Sequence, residues 1–177
     1  QFHAVLGDAN HRRALLLPAT LVFGGFSVIP LLSPYAVGNV GLMESDLAYI
    51  YFFGGLATAF TSRYIGRLAD RHGKRETFAV VAGLSVLPIL VATNMPPVPV
   101  WVLVCASTTF FILVSGRFVP AMALVNAGAQ PGMRGSLMSF SQALQQLSSG
   151  LAALCAAAIV GYTPSGALTH YWIVGLV

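Results

Sequence analysis

Two groups of polar residues stand inside otherwise apolar stretches of this chain, and both could do chemistry. Arg117 lies well within an apolar run that starts at about Val100, with Pro120 three residues on. An Arg at the centre of a membrane helix costs about 2.5–3.5 kcal/mol on insertion scales, so it should face a wet cavity or a partner. It reads in one of two ways. It contacts a substrate or pairs with a carboxylate along a transport path, with Asn126 in the same half of the run as a second candidate. Alternatively it is structural, satisfying carbonyls freed near Pro120 or snorkelling to the interface. The second group is a polar stripe. Ser139, Gln142, Gln146 and Ser149 are spaced three, four and three, which puts them on one helical face, and Ser141, Gln145 and Ser148 form an adjacent row. Amides and hydroxyls in such number suit a helix that borders a water-filled path; the plainer alternative is hydrogen bonding between helices.

Other chemistries are missing. The sequence has no His-Glu-x-x-His helix, no Gly-x-Ser-x-Gly elbow and no phosphate-binding Walker loop, so no enzyme activity, cofactor or metal is expected. All five acids lie in connections, none within a span. His170, towards the outer end of the last apolar run, is the remaining candidate proton carrier and reads more simply as an interface residue. Cys105 and Cys155 fall in apolar runs and read as small buried residues, not as a disulfide or a metal pair.

The elements that must hold these residues are membrane spans. Hydrophobic residues make up 56% of the 177 residues and charged residues 8%, against roughly 25% charged in ordinary soluble domains. At about 20 residues per span, the chain accommodates five or six transmembrane helices, making it an all-α polytopic bundle. The net charge of +4 is gathered at span ends and is no nucleic-acid signature. Residues 1–13 read as a cytoplasmic, linker-like segment and residues 14–177 as a six-span unit whose last span is cut short. The spans are expected at about 14–37, 47–65, 77–93, 100–125 and 136–160, with a sixth starting at Leu168. Gly24-Gly25, Pro30 and Pro34 predict a first helix that bends or loosens in its outer half. Gly54, Thr58, Ser62 and Gly66 place four small residues on one face of the second span, which permits close helix contact. The absence of an initiator Met and an end within an apolar run predict a piece of a longer protein.

Arg12, Arg13, Arg67, Arg71, Lys74, Arg75 and Arg134 fall in alternate connections, and the other three connections hold no Lys or Arg. The positive-inside rule therefore places the amino terminus and the connections at 66–75 and 128–135 in the cytoplasm, with Glu44 and Asp46 outside.

The densest knot of charge is Gly66-Arg67-Leu68-Ala69-Asp70-Arg71-His72-Gly73-Lys74-Arg75, expected as a tight loop at the membrane surface. Gly73 allows a sharp reversal. Asp70 suits a neighbouring helix amino terminus, and Arg71, Lys74 and Arg75 suit anionic lipid headgroups. This stretch resembles the signature loop of the major facilitator superfamily: Gly, three residues, Asp, Arg, any residue, Gly, then two basic residues. It also lies between a second and a third span, on the predicted cytoplasmic side. The resemblance implies a transporter of two six-helix halves, each made of three-helix inverted repeats, with substrate held between the halves. This chain would supply one half, the carboxyl-terminal one. It implies that Gly66, Arg67, Asp70, Arg71, Gly73, Lys74 and Arg75 form a cytoplasmic gate that latches onto the other half, and that small organic solutes are exported across an inner membrane by alternating access with the proton as coupling ion. The likeness leans towards bacterial permeases of the drug or sugar efflux type. The alternative function is a non-transporting membrane protein such as a sensor, scaffold or assembly partner.

Overall fold

The computed structural model describes residues 9–128, 134–164 and 166–176. Helices dominate it. The first, α1 (Ala9–Tyr35), begins inside the segment read as a linker and runs unbroken through Gly24-Gly25, carrying Pro18, Pro30 and Pro34. The expected loosening appears only beyond Pro34, where Ala36–Val40 widens into a π-helical turn closed by Gly41 at φ 85°. A short 3-10 turn at Glu44–Asp46 leads into α2 (Leu47–His72).

Helix α2 takes in most of the charged stretch expected as a loop. Arg67, Leu68 and Ala69 are good helix formers, and Arg71 and His72 complement the helix dipole in the last turn. The reversal is reduced to one residue, Gly73 at φ 98°, and α3 (Lys74–Thr93) follows at once. A side chain at Gly73 would also collide with the Glu76 carboxylate.

The fourth span is two helices, α4 (Val100–Gly116) and α5 (Phe118–Gly128), parted at Arg117. Pro120 has no N–H for the Gly116 carbonyl, which weakens the helix there. Helix α6 (Arg134–Ile159) carries the polar stripe; the turn expected at Pro131-Gly132 lies outside the described residues. The chain then forms a small antiparallel ladder, β1 (Gly161–Tyr162) with β2 (Leu168–Thr169), in which Gly161 pairs with Thr169 and Tyr162 with Leu168. Leu168, read as the start of a sixth span, is therefore in a strand, and the next helix, α7, spans Tyr171–Val174.

Among the described residues, three stretches are long and apolar enough to cross a membrane by length and composition: Ala14–Val40, Lys74–Thr93 and Val100–Ala127. Helices α2 and α6, of 26 residues each, are long enough for a ~30 Å hydrocarbon layer at 1.5 Å per residue. They are less apolar because one carries the charged motif and the other the polar stripe. Large apolar side chains lie on the outside of the bundle, among them Phe52, Phe60, Leu87, Trp101 and Leu154, as a lipid solvent requires. Cys105 and Cys155 are exposed there too, not buried as their apolar runs suggested.

The most extensive packing is α1 against α6 and α2 against α4. The two pairings interchange when the first and second spans are swapped for the fourth and fifth, the pattern of a threefold set of helices used twice. Small residues make the second pairing close. A Cβ on Gly54 would sit 2.5 Å from the Phe111 ring, and one on Gly66 would touch Val119, so the stripe read from the sequence does bring α2 against α4 and α5. The larger apolar core, with Val28, Leu32, Phe110, Val114 and Tyr171, lies towards the acidic end of the bundle. A smaller one around Leu15, Val125 and Leu137 lies towards the basic end.

At the acidic end the side-chain amide of Asn39 pairs with both backbone groups of Leu168, accepting from its N–H at 2.7 Å and donating to its carbonyl at 2.9 Å. Gly38 makes this possible, because a Cβ there would lie 2.7 Å from the Gly166 carbonyl oxygen. Tyr171 donates to the Val28 carbonyl at 2.9 Å, Tyr35 donates to that of Met95 at 2.8 Å, and the two rings lie 4.7 Å apart. The end of α1 is thus strapped to the hairpin that follows α6.

Candidate functional site

Polar side chains interrupt the apolar bundle at mid-height on both sides of α1. On one side is Arg117, 8% exposed. The helix break at residue 117 turns its guanidinium towards α1 and α3. One terminal nitrogen donates to the Leu21 carbonyl and the other to Ser85 Oγ, both at 3.3 Å. Its Nε is buried without a partner. Gly24 and Gly25 make room: a Cβ at either would lie 3.8 and 3.9 Å from the terminal nitrogen, so a longer side chain would displace it. A cavity of about 340 Å³ adjoins the guanidinium, lined by Thr20, Gly24, Ile89 and Gly175 among others. The carbonyl that Arg117 satisfies belongs to the facing helix α1 and not to the turn near Pro120. In doing so it joins the first and third spans to the fourth.

On the other side of α1, Val22 and Phe26, Phe118 of α5, and Gln142, Gln145, Gln146 and Ser149 of α6 line a cleft of about 220 Å³. The two polar rows on α6 divide the work. The inner row packs: Ser141 is fully buried and accepts a hydrogen bond from Gln145 Nε2 at 3.1 Å. The outer row opens: Gln142 and Gln146 are exposed, and neither side-chain amide has a protein partner among the described residues. Ser149 donates to the Gln146 backbone carbonyl at 2.8 Å.

The structure therefore brings Gln142, Gln146 and Ser149 together and leaves the other candidates apart. Ser139 is exposed and does not line the cleft. Asn126 is exposed near the end of α5, away from Arg117. Two functional neighbours escaped the sequence reading. Ser85, a hydroxyl in an apolar span, was the available signal for a partner to Arg117. Phe118 looked like any other apolar residue of its run.

The charged motif sits at the basic end. Arg67, Asp70, Arg71 and Arg75 are exposed, while Gly66, Gly73 and Lys74 are half-buried. Asp70 makes no hydrogen bond or ion pair among the described residues, and its side chain stands free at the end of α2. Through the contact of Gly66 with Val119, the motif touches α5 two residues past the helix break. No cluster of three or more His, Cys, Asp or Glu side chains that could hold a metal exists among the described residues.

Over 116 residues the chain is 26% identical to a protein of Staphylococcus saprophyticus described as the proton-coupled antiporter flippase LtaA. The aligned stretch covers 64% of this chain and 29% of that protein, so the chain spans under a third of the curated relative it matches. No protein-family model matches it, and no solved structure does. The long apolar helices define a multi-pass helical membrane protein, distantly similar over part of its length to a protein described as an antiporter flippase.

Proposed function

We propose that the chain is one six-helix half of a secondary active transporter of the major facilitator type, which moves small organic solutes outward by alternating access. The observation that carries this reading is the pair of side-chain amides Gln142 and Gln146, without protein partners among the described residues and open to a cleft at mid-height of an otherwise apolar bundle. Unpartnered amides at such depth need water or a ligand. Three further features support it. The interchange of the α1·α6 and α2·α4 pairings fits repeated three-helix units. The basic motif matches the gate loop at every specified position. The similar Staphylococcus protein is described as a proton-coupled antiporter, which supports proton coupling here, with the chemistry confined to transport and no enzymatic step.

In this reading the exposed Asp70, next to the one-residue turn at Gly73, meets a helix amino terminus of the other half when the transporter opens outward, and Arg71 and Arg75 hold the turn at the cytoplasmic lipid surface. Full-length protein reconstituted in vesicles with an imposed pH gradient tests it. Asp70→Asn is expected to lower solute flux severalfold while leaving membrane insertion and unfolding temperature unchanged. Undiminished flux in that variant would remove the latch, and the absence of gradient-driven flux for any solute would remove the transport reading.

A further inference from the structure

We infer that the cavity beside Arg117, on the opposite side of α1 from the glutamine cleft, binds a small monovalent inorganic anion such as chloride. The inference is independent of the transport reading above. It starts from a positive charge that the described chain hydrogen-bonds but does not neutralise.

A guanidinium has five N–H donors and is always charged. Arg117, 8% exposed, spends one donor on the Leu21 carbonyl and one on Ser85 Oγ. Both acceptors are neutral. Nε is buried without a partner, and two terminal N–H groups are left over. Two hydrogen bonds therefore tie the helices together and leave the charge itself without a counterion. No carboxylate among the described residues supplies one. Glu76 lies in the first turn of α3, nine positions before Ser85 and so about 13 Å away along the axis. Asp70 is near the end of α2, and Glu44 and Asp46 are in the 3-10 turn at the acidic end. An ion buried without a countercharge is among the costliest groups a bundle can hold.

The cavity offers room where those donors are. It measures about 340 Å³, and Arg117 forms part of its wall with Thr20, Gly24, Val86, Ile89 and Gly175. Glycine at position 24 keeps the approach open, since a Cβ there would stand 3.8 Å from a terminal nitrogen. The Thr20 hydroxyl is turned back onto the Leu16 and Leu17 carbonyls of its own helix. No other described residue of the wall is ionisable, so nothing in it repels an anion. The wall also selects among anions. A dianion would bring a second charge that no cation offsets. A lipid headgroup stays at the membrane surface, whereas the guanidinium is at mid-height. A strongly hydrated ion such as fluoride would exchange its water for apolar side chains. Chloride and bromide carry one charge, hold water more loosely, and accept several N–H donors from any direction.

The test uses the full-length protein in phosphatidylcholine nanodiscs, with chloride or bromide replacing gluconate at constant ionic strength. The unfolding temperature is expected to rise by a few degrees and to saturate with halide, as binding to the folded state requires. Equilibrium dialysis with radioactive chloride should show binding that bromide displaces and gluconate does not. Arg117→Ala should lose both responses. Because that variant also loses the tie between helices, Thr20→Glu is the second arm. Thr20 is exposed, so the change is tolerated, and the new carboxylate at the cavity wall supplies the countercharge from within the chain. Thr20→Glu is expected to fold, to bind no chloride and to unfold at a temperature indifferent to halide. The inference is overturned if the wild type responds to chloride no more than to gluconate, since water or another part of the protein would then satisfy Arg117. It is equally overturned if halide binding persists in folded Arg117→Ala or in Thr20→Glu, which would put the anion elsewhere.

Discussion

Arg117 and Gln146 are both polar, both near mid-height of the bundle, and both beside α1, yet they do opposite work. The guanidinium is buried and spends two of its arms on α1 and α3, while the amide faces a cleft and bonds to no protein side chain. A charged residue in a span attracts the functional reading first, because placing it there is costly. Here the cost is met by making it a tie between helices. The neutral side chains, cheaper to leave without partners, are the ones left free. The role of a polar group in a membrane bundle is thus set by what already satisfies it, more than by how polar it is.

Substitutions can break that contrast. The largest effect is expected from Gly25→Leu, which drives a side chain into the space of Arg117 and Val114. Overpacking of this kind should cost about 3 kcal/mol and appear as a large fall in unfolding temperature. Arg117→Ala comes next. It removes the two hydrogen bonds that tie the fourth span to Leu21 and Ser85 and should cost about 2 kcal/mol, with Arg117→Lys recovering only part of it, because an ammonium cannot reach both partners with a planar fork. A change in ligand affinity at unaltered stability in Arg117→Ala would reverse the assignment and make the Arg a ligand contact. Gln146→Ala should change stability by less than about 0.5 kcal/mol while impairing binding at the cleft. Smallest of all, Ser139→Ala and Asn126→Ala should leave both stability and binding at wild-type levels in the same assays; a binding defect in either would extend the cleft towards the basic end.

Much of the architecture was legible because a bilayer imposes simple rules. Apolar run lengths located the helices, and the alternation of cations with cation-free connections paired their ends. The polar stripe on α6 could be read because a period of 3.6 maps directly onto a face. Charge alone misplaced the end of α2. It marks where water begins, whereas the helix continues through Arg67, Leu68 and Ala69 until Gly73 stops it. Of the two partners of Arg117, Ser85 left a trace as a hydroxyl in an apolar span, whereas the other could not be read at all. A backbone carbonyl such as that of Leu21, 96 positions away, has no signature in the sequence. Leu168 looked like the start of a span because a two-residue strand is too short to show alternation, and its true pairing depends on the distant Asn39.

That pairing bears on how the molecule is made. Asn39 and Leu168 are 129 positions apart, with α2 to α6 lying between them in the chain. During synthesis the end of α1 emerges before α2 to α6, but it cannot be fastened until the hairpin after α6 has been delivered to the same side of the membrane. Until then the amide of Asn39 is an unsatisfied polar group at the rim of the bundle, and a chain with one span inverted would never satisfy it. The strap is therefore the last tie to close, and only a correctly threaded chain can close it.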